Sequence, residues 1–211
     1  MSLDSARLYL VARADLPAGR LADLVPELAG AGVDVLQLRE KEMDAGPLLH
    51  EAQGLAVASR SVGVPLFVND RPDVAVAAGA SGVHVGQDDL PVSAARRAAP
   101  GLLVGWSTHS ERQIDAAVSG ERPDYIAVGP LYETPTKPGR PATGLDLVRY
   151  AAANVPDDLP WFAIGGIDHD NLPAVLDAGA RRIVVVRAIA GAPDPAEAAA
   201  RLRDALDSVT V

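Results

Sequence analysis

Short apolar runs recur along the chain at 8–11, 33–38, 65–68, 82–85, 103–106, 125–129, 161–164 and 183–186. Their length and their Val and Ile content predict strands. Between them lie stretches whose apolar residues recur at helical spacing: 20–31, 45–63, 73–80, 91–100, 110–120, 145–155, 171–180 and 194–209. Three of the strands follow a small-residue stop, in "AGAGVDVLQL", "AAGASGVHV" and "DAGARRIVV". A glycine past a helix end supplies the left-handed cap, and the β-branched run then joins a sheet. Strands alternating with helices imply βαβ units and a mainly parallel sheet. Eight such units in 211 residues predict a single-domain (β/α)8 TIM barrel spanning 1–211. The rival is an open doubly wound sheet. It would often carry G-x-G-x-x-G after the first strand, and "YLVARADLPAGR" has no such motif.

Composition narrows the chemistry. The chain is 48% hydrophobic and 22% charged, an ordinary globular profile, and its net charge of −9 argues against nucleic acid or an anionic membrane as partner. No signal-like start or long uncharged apolar run is seen, so a cytoplasmic protein is expected. The absence of cysteine removes disulfides, thiolate metal sites and a cysteine nucleophile. His50, His84, His109 and His169 are scattered, without helical metal-ligand spacing, which disfavours zinc. Lys41 and Lys137 are the only two lysines, whereas arginines number seventeen, so each lysine invites a specific explanation.

Barrel enzymes keep their chemistry at the C-terminal ends of the strands. The second strand ends "LQLREK", where Gln37, Arg39 and Lys41 alternate and would share one side of an extended segment, forming an anion clamp. The bland alternative is a mouth salt-bridged through Glu40 or Glu42. The third strand ends "FVNDR" and the fourth "VHVGQDDL", so Asn69 and Asp70 would stand beside Asp88 or Asp89. Two carboxylates there suit a hard cation such as Mg2+; the alternative is that these residues cap the following helices. Ser107, in "VGWSTHS", is expected to donate a hydroxyl to a ligand, with Thr108 or Ser110 as helix cap. The seventh strand ends "AIGGID" and the eighth "VVVRAI", where backbone around the paired glycines and Arg187 could receive a phosphate.

One stretch breaks the pattern. "GPLYETPTKPGRPATG", at 129–144, holds four prolines, three threonines, Lys137 and Arg140, and has no apolar period. A loop this long in a compact domain is usually functional or disordered. It is expected to be mobile when empty and to close over substrates.

"QLREK", "VNDR", "VHVGQDD", "GPLYETPTK", "AIGGI" and "VVVRAI" follow in the order and spacing of the thiamine-phosphate synthase family, which the chain resembles from its second strand to its eighth. The resemblance implies a (β/α)8 barrel that condenses hydroxymethylpyrimidine diphosphate with thiazole phosphate and releases pyrophosphate. It implies that Gln37, Arg39, Lys41, Asn69, Ser107 and Lys137 meet the pyrimidine diphosphate. It implies Mg2+ on Asp70 and Asp89, and thiazole phosphate at Thr134, Thr136, Gly166, Val186 and Arg187. The family often has Ser where Arg187 stands. Arg39, Lys41 and Lys137 would act as electrostatic catalysts on phosphorylated small-molecule substrates. Rival readings are a Schiff-base aldolase through Lys137, a thiazole tautomerase relative and a non-catalytic phosphate or thiamine binder. Whether the chain pairs as a homodimer is left open.

Overall fold

The computed structural model describes residues 3–134 and 141–209; Thr136, Lys137 and Arg140 lie outside the described residues. Eight strands appear where the apolar runs fall: β1 (Leu8–Ala12), β2 (Val35–Leu38), β3 (Leu66–Asn69), β4 (Gly82–Val85), β5 (Leu103–Thr108), β6 (Tyr125–Val128), β7 (Trp161–Ile164) and β8 (Ile183–Val185). They pair in parallel and in sequence order, and β8 pairs back on β1, which closes the barrel. An open sheet is thereby excluded.

All but one of the helices, the short α8, follow the predicted segments. They are α1 (Leu21–Gly30), α2 (Ala45–Ser61), α3 (Pro72–Ala78), α4 (Val92–Ala98), α5 (Glu111–Ala116), α6 (Asp146–Asn154), α7 (Leu172–Asp177), α8 (Arg187–Ala190) and α9 (Pro195–Asp207). α1 buries Leu21, Val25 and Leu28, at spacings of four and three, so one stripe faces the barrel. Among the described residues, no helix is long and apolar enough to cross a membrane.

Three local features depart from the sequence reading. A small antiparallel hairpin joins Asp15–Leu16 to Gly19–Arg20 ahead of α1, turning at Pro17 and Ala18. Past Ala116 the helix widens into a π turn over Ala117–Glu121, where the Ser119 hydroxyl donates to the Asp115 carbonyl four residues back. The chain after β8 turns at once into the short α8, so β8 ends at Val185 rather than at 186.

The alternation of side chains divides the apolar residues into two populations. Leu8, Leu10, Leu36, Leu38, Val83, Val85 and Val185 face outward and pack with the helices. Tyr9, Val11, Val35, Phe67, Tyr125, Phe162 and Val184 face inward and fill the barrel. Both phenylalanines of the chain, and two of its four tyrosines, are in that plug. The rings meet edge to face: Phe67 to Tyr125 at 5.3 Å, Tyr9 to Phe162 at 5.5 Å and Tyr125 to Phe162 at 5.6 Å. Such pairs add roughly 0.5–1.5 kcal/mol each beyond area burial.

Rings of this size fit only because neighbouring inward positions are empty. A Cβ at Gly82 would overlap the Phe67 ring, and one at Gly105 would overlap Tyr125. At the other end of the barrel, Asp34 accepts from the amides of Arg7 and Leu8 and pairs with Arg203 of α9, tying β1, β2 and the last helix together.

Gly105→Ala is therefore expected to cost about 2–3 kcal/mol by overpacking. Gly54→Ala, at an exposed position of α2 with open space at its Cβ, should be neutral or stabilising by about 0.5–1 kcal/mol. Urea denaturation of the two variants checks this; equal midpoints would contradict the packing account.

Candidate active site

The C-terminal ends of the strands surround a cavity of about 310 Å3. Its floor is the polar top of the aromatic plug. Gln37 of β2 donates through Nε2 to the Tyr9 hydroxyl at 2.7 Å, and the Tyr9 and Tyr125 hydroxyls hydrogen-bond to each other at 2.8 Å. His84 of β4 meets the Tyr125 hydroxyl through Nδ1 at 2.8 Å and the Ser107 hydroxyl through Nε2 at 2.9 Å. Gln37, His84 and Ser107 are buried, so these bonds satisfy groups that would otherwise be costly to bury. Burial raises the pKa of Tyr9 and of Tyr125, so both phenols keep their protons.

Cations and carboxylates sit at the rim beside this floor. Arg39 follows β2 directly, its amide continuing the ladder to Ala12 at 2.9 Å, and its side chain lines the cavity. Burial lowers the Arg39 pKa, opposed by the negative charge of Asp70 and Asp89. Lys41 does not continue the strand's alternation, because the extended segment ends at Leu38. Its Nζ instead lies 3.0 Å from Asp70 Oδ2. Glu40 turns the other way, accepting from the Ala14 amide at 2.9 Å and pairing with Arg13.

The carboxylates converge as expected for neighbouring strand ends. Asp70 follows β3, its amide donating to the His84 carbonyl at 2.8 Å, and its carboxyl is within hydrogen-bonding reach of Asp89. Burial and the Asp89 carboxyl raise the Asp70 pKa, and Lys41 opposes them. Asp89 is held by the Gly86 amide, which donates to Oδ2 at 2.8 Å. The helix-cap alternative is not realised: α3 begins after Arg71 and α4 after Pro91, and neither has a side-chain cap. The cap of α5 is Ser110, whose hydroxyl accepts from the Gln113 amide. Two half-buried carboxylates in mutual contact fit a hard divalent cation, which takes one or two carboxylates and completes its shell with water and phosphate.

Asp70 also has φ 61°, in the left-handed region that non-glycine residues seldom occupy. Strain at such a position points to selection for something other than stability.

The opposite part of the rim is mostly backbone. Gly165 and Gly166 have φ of 108° and 70°. A Cβ on Gly165 would lie 2.5 Å from Pro130 Cα, and one on Gly166 2.8 Å from Tyr132 Cβ. Glycine thus lets the loop after β6 lie on the loop after β7, where the Leu131 and Tyr132 amides donate to the Ile164 and Gly165 carbonyls. Thr134, Gly166, Val186 and Arg187 all line the cavity, as do Asn69 and Ser107. Ser107 lies inside β5, which runs two residues further than the apolar run suggests.

Sequence reasoning missed Tyr9, His84 and Tyr125. The signal available was parity: His84 shares the inward face with Gly82, and Tyr9 with Val11. His109 also lines the cavity and hydrogen-bonds the Gly129 carbonyl through Nδ1.

A closed parallel barrel with an arginine-bearing, carboxylate-edged cavity at its C-terminal mouth defines a TIM-barrel enzyme for phosphorylated small molecules. The family profile described as Thiamine monophosphate synthase matches residues 8–189. A Thiamine-phosphate synthase of Acidothermus cellulolyticus is 56% identical over 200 residues, covering 94% of each chain. One from Thermus thermophilus is 51% identical over 205 residues, covering 96% of this chain and 98% of that one. A solved thiamine phosphate pyrophosphorylase from Pyrococcus furiosus superposes with a TM-score of 0.87 at 30% identity, covering 99% of this chain and 98% of that chain. The chain belongs to the thiamine monophosphate synthase family.

Asp70→Gly removes both the strained backbone and one of two contacting carboxylates. It is expected to leave stability unchanged or raise it by up to about 1 kcal/mol. Thermal or urea unfolding checks this, and a loss above about 1 kcal/mol would make Asp70 a structural residue.

Proposed function

We infer that the chain is a thiamine-phosphate synthase. It joins 4-amino-2-methyl-5-hydroxymethylpyrimidine diphosphate to 4-methyl-5-(2-phosphoethyl)thiazole, giving thiamine phosphate and pyrophosphate. The observation that carries this reading is a cavity lined by Arg39, which faces the Asp70/Asp89 pair just outside the lining, with Gly166, Val186 and Arg187 at another part of the rim and a hydrogen-bonded polar floor between them. Such a cavity suits one flat heterocycle on the floor and two phosphorylated groups at the rim.

In this reading Gln37, Asn69 and Ser107 orient the pyrimidine. Arg39, Lys41 and Lys137 hold the diphosphate. Thr134, Thr136, the backbone at Gly166 and Val186, and Arg187 take the thiazole phosphate. Asp70 and Asp89 would hold Mg2+, which supplies charge neutralisation to a departing diphosphate.

The bond that breaks joins the pyrimidine methylene to the diphosphate oxygen, and its electron pair leaves with pyrophosphate. The bond that forms joins that methylene to the thiazole nitrogen. We read the path as dissociative, through a pyrimidine cation stabilised by resonance. The chain's own contribution is then positive charge placed where negative charge develops, together with alignment of the two substrates. No protein nucleophile is needed, which agrees with a chain that has no cysteine. A biosynthetic role of this kind suits the cytoplasm.

Pyrophosphate release should require both substrates and a divalent cation, and chelation should abolish it. Asp70→Ala should lose turnover by about a hundredfold or more even at saturating Mg2+. Full activity at limiting Mg2+ would sink the metal assignment. Lys41→Ala should raise the KM for pyrimidine diphosphate about tenfold while leaving that for thiazole phosphate unchanged. Equal effects on both would refute a division into two anion sites.

A further inference from the structure

The chain Gln37–Tyr9–Tyr125–His84–Ser107 connects two cavity-lining residues that lie three strands apart in the barrel. Each internal member has a partner on both sides, so the direction of one hydrogen bond constrains the next. Two polarities are self-consistent. They differ in which His84 nitrogen carries the proton, and in what Gln37 and Ser107 offer to a ligand.

Gln37 donates through Nε2 to the Tyr9 oxygen. The Tyr9 proton then goes to the Tyr125 oxygen, and the Tyr125 proton goes to His84 Nδ1, which must be unprotonated to accept it. His84 Nε2 carries the ring proton and donates it to Ser107 Oγ. Ser107, having accepted, keeps its own proton to donate, and Gln37 keeps Oε1 to accept. The floor thus presents one acceptor and one donor. Neither tyrosine can break the sequence by ionising, since burial raises the pKa of both.

We propose that Tyr125 is a positioning residue that poles this chain from Gln37 to Ser107, fixing His84 as the neutral Nε2–H tautomer and making the floor select an aminopyrimidine over its oxo counterpart. An exocyclic amine donates to Gln37 Oε1, and a ring nitrogen accepts from the Ser107 hydroxyl. A 4-oxo ring presents an acceptor where the amine was, facing another acceptor across the gap. A site whose buried polar groups are left unpaired by the wrong ligand discriminates far more strongly than an apolar pocket does. The specificity half of the proposal rests on the aminopyrimidine reading above; the tautomer half does not.

Tyr125→Phe removes one hydroxyl and keeps the ring that plugs the barrel. Without that acceptor, the Tyr9 proton can turn to Gln37, whose amide then flips and presents its NH2 group to the cavity. Discrimination should therefore relax, whereas a loss of packing alone would reduce use of both ring types equally.

The test has two arms on the full chain. Long-range proton–nitrogen NMR of the ligand-free protein at about pH 8, with His84 assigned by a His84→Gln variant, should show a protonated Nε2 and an unprotonated Nδ1. A protonated Nδ1, or an imidazolium, overturns the proposed polarity whatever the protein catalyses. In the second arm, the wild type should prefer 4-amino- over 4-oxo-pyrimidine diphosphate by about a hundredfold or more in kcat/KM. Tyr125→Phe should lower that preference about tenfold. An unchanged preference in the variant overturns the positioning role. Should the wild type release no pyrophosphate from either diphosphate, the functional reading fails, and the NMR arm alone decides the polarity.

Discussion

Four aromatic rings packed edge to face inside an eight-stranded barrel set the height and the chemistry of everything above them. A barrel interior is a narrow space that side chains must fill without voids. Here Tyr9, Phe67, Tyr125 and Phe162 fill it, and Gly82 and Gly105 give way to them. Because two of the four rings are tyrosines, the plug ends in hydroxyls. Those hydroxyls must be paired, and their partners are Gln37 and His84, which lie on the floor of the cavity. Core packing and ligand recognition thus share atoms.

The rim is built under different rules. It carries strain and contacting carboxylates that a purely structural surface would shed: Asp70 in a left-handed conformation, beside Asp89, with Lys41 in partial compensation. These are costs that a bound cation can offset, since its charge would relieve the repulsion between the two carboxylates. The floor, by contrast, carries no carboxylate, lysine or arginine, and its hydroxyls and imidazole are hydrogen-bonded to one another. A hydrogen-bonding floor under a charged rim holds a heterocycle in place without competing for its phosphates.

Much of this was legible in the residues. Alternating apolar runs and helical stripes gave all eight strands within a few residues, because strand and helix periods differ sharply and the glycine stops mark their junctions. Asp70 could be placed beside Asp88 or Asp89 because neighbouring strand ends are neighbours in a parallel barrel; the family resemblance alone chose Asp89. The geometry of Lys41 was not legible, since nothing local says where extension stops after Leu38. The hydroxyl chain was also hidden. Tyr9 and Tyr125 are 116 residues apart and meet only across the closed barrel. A histidine at an inward position could equally have been an isolated core residue until its two partners were seen.

The most direct measurement is a crystal structure of the full chain with thiamine phosphate, pyrophosphate and Mg2+. The expected result has the pyrimidine ring on the floor, its amine at Gln37 and a ring nitrogen at Ser107. Pyrophosphate would lie by Arg39 with the metal on Asp70 and Asp89, and the product phosphate by Gly166 and Arg187. A pyrimidine ring bound away from the Gln37–Ser107 floor, or a metal bound without either carboxylate, would contradict the account.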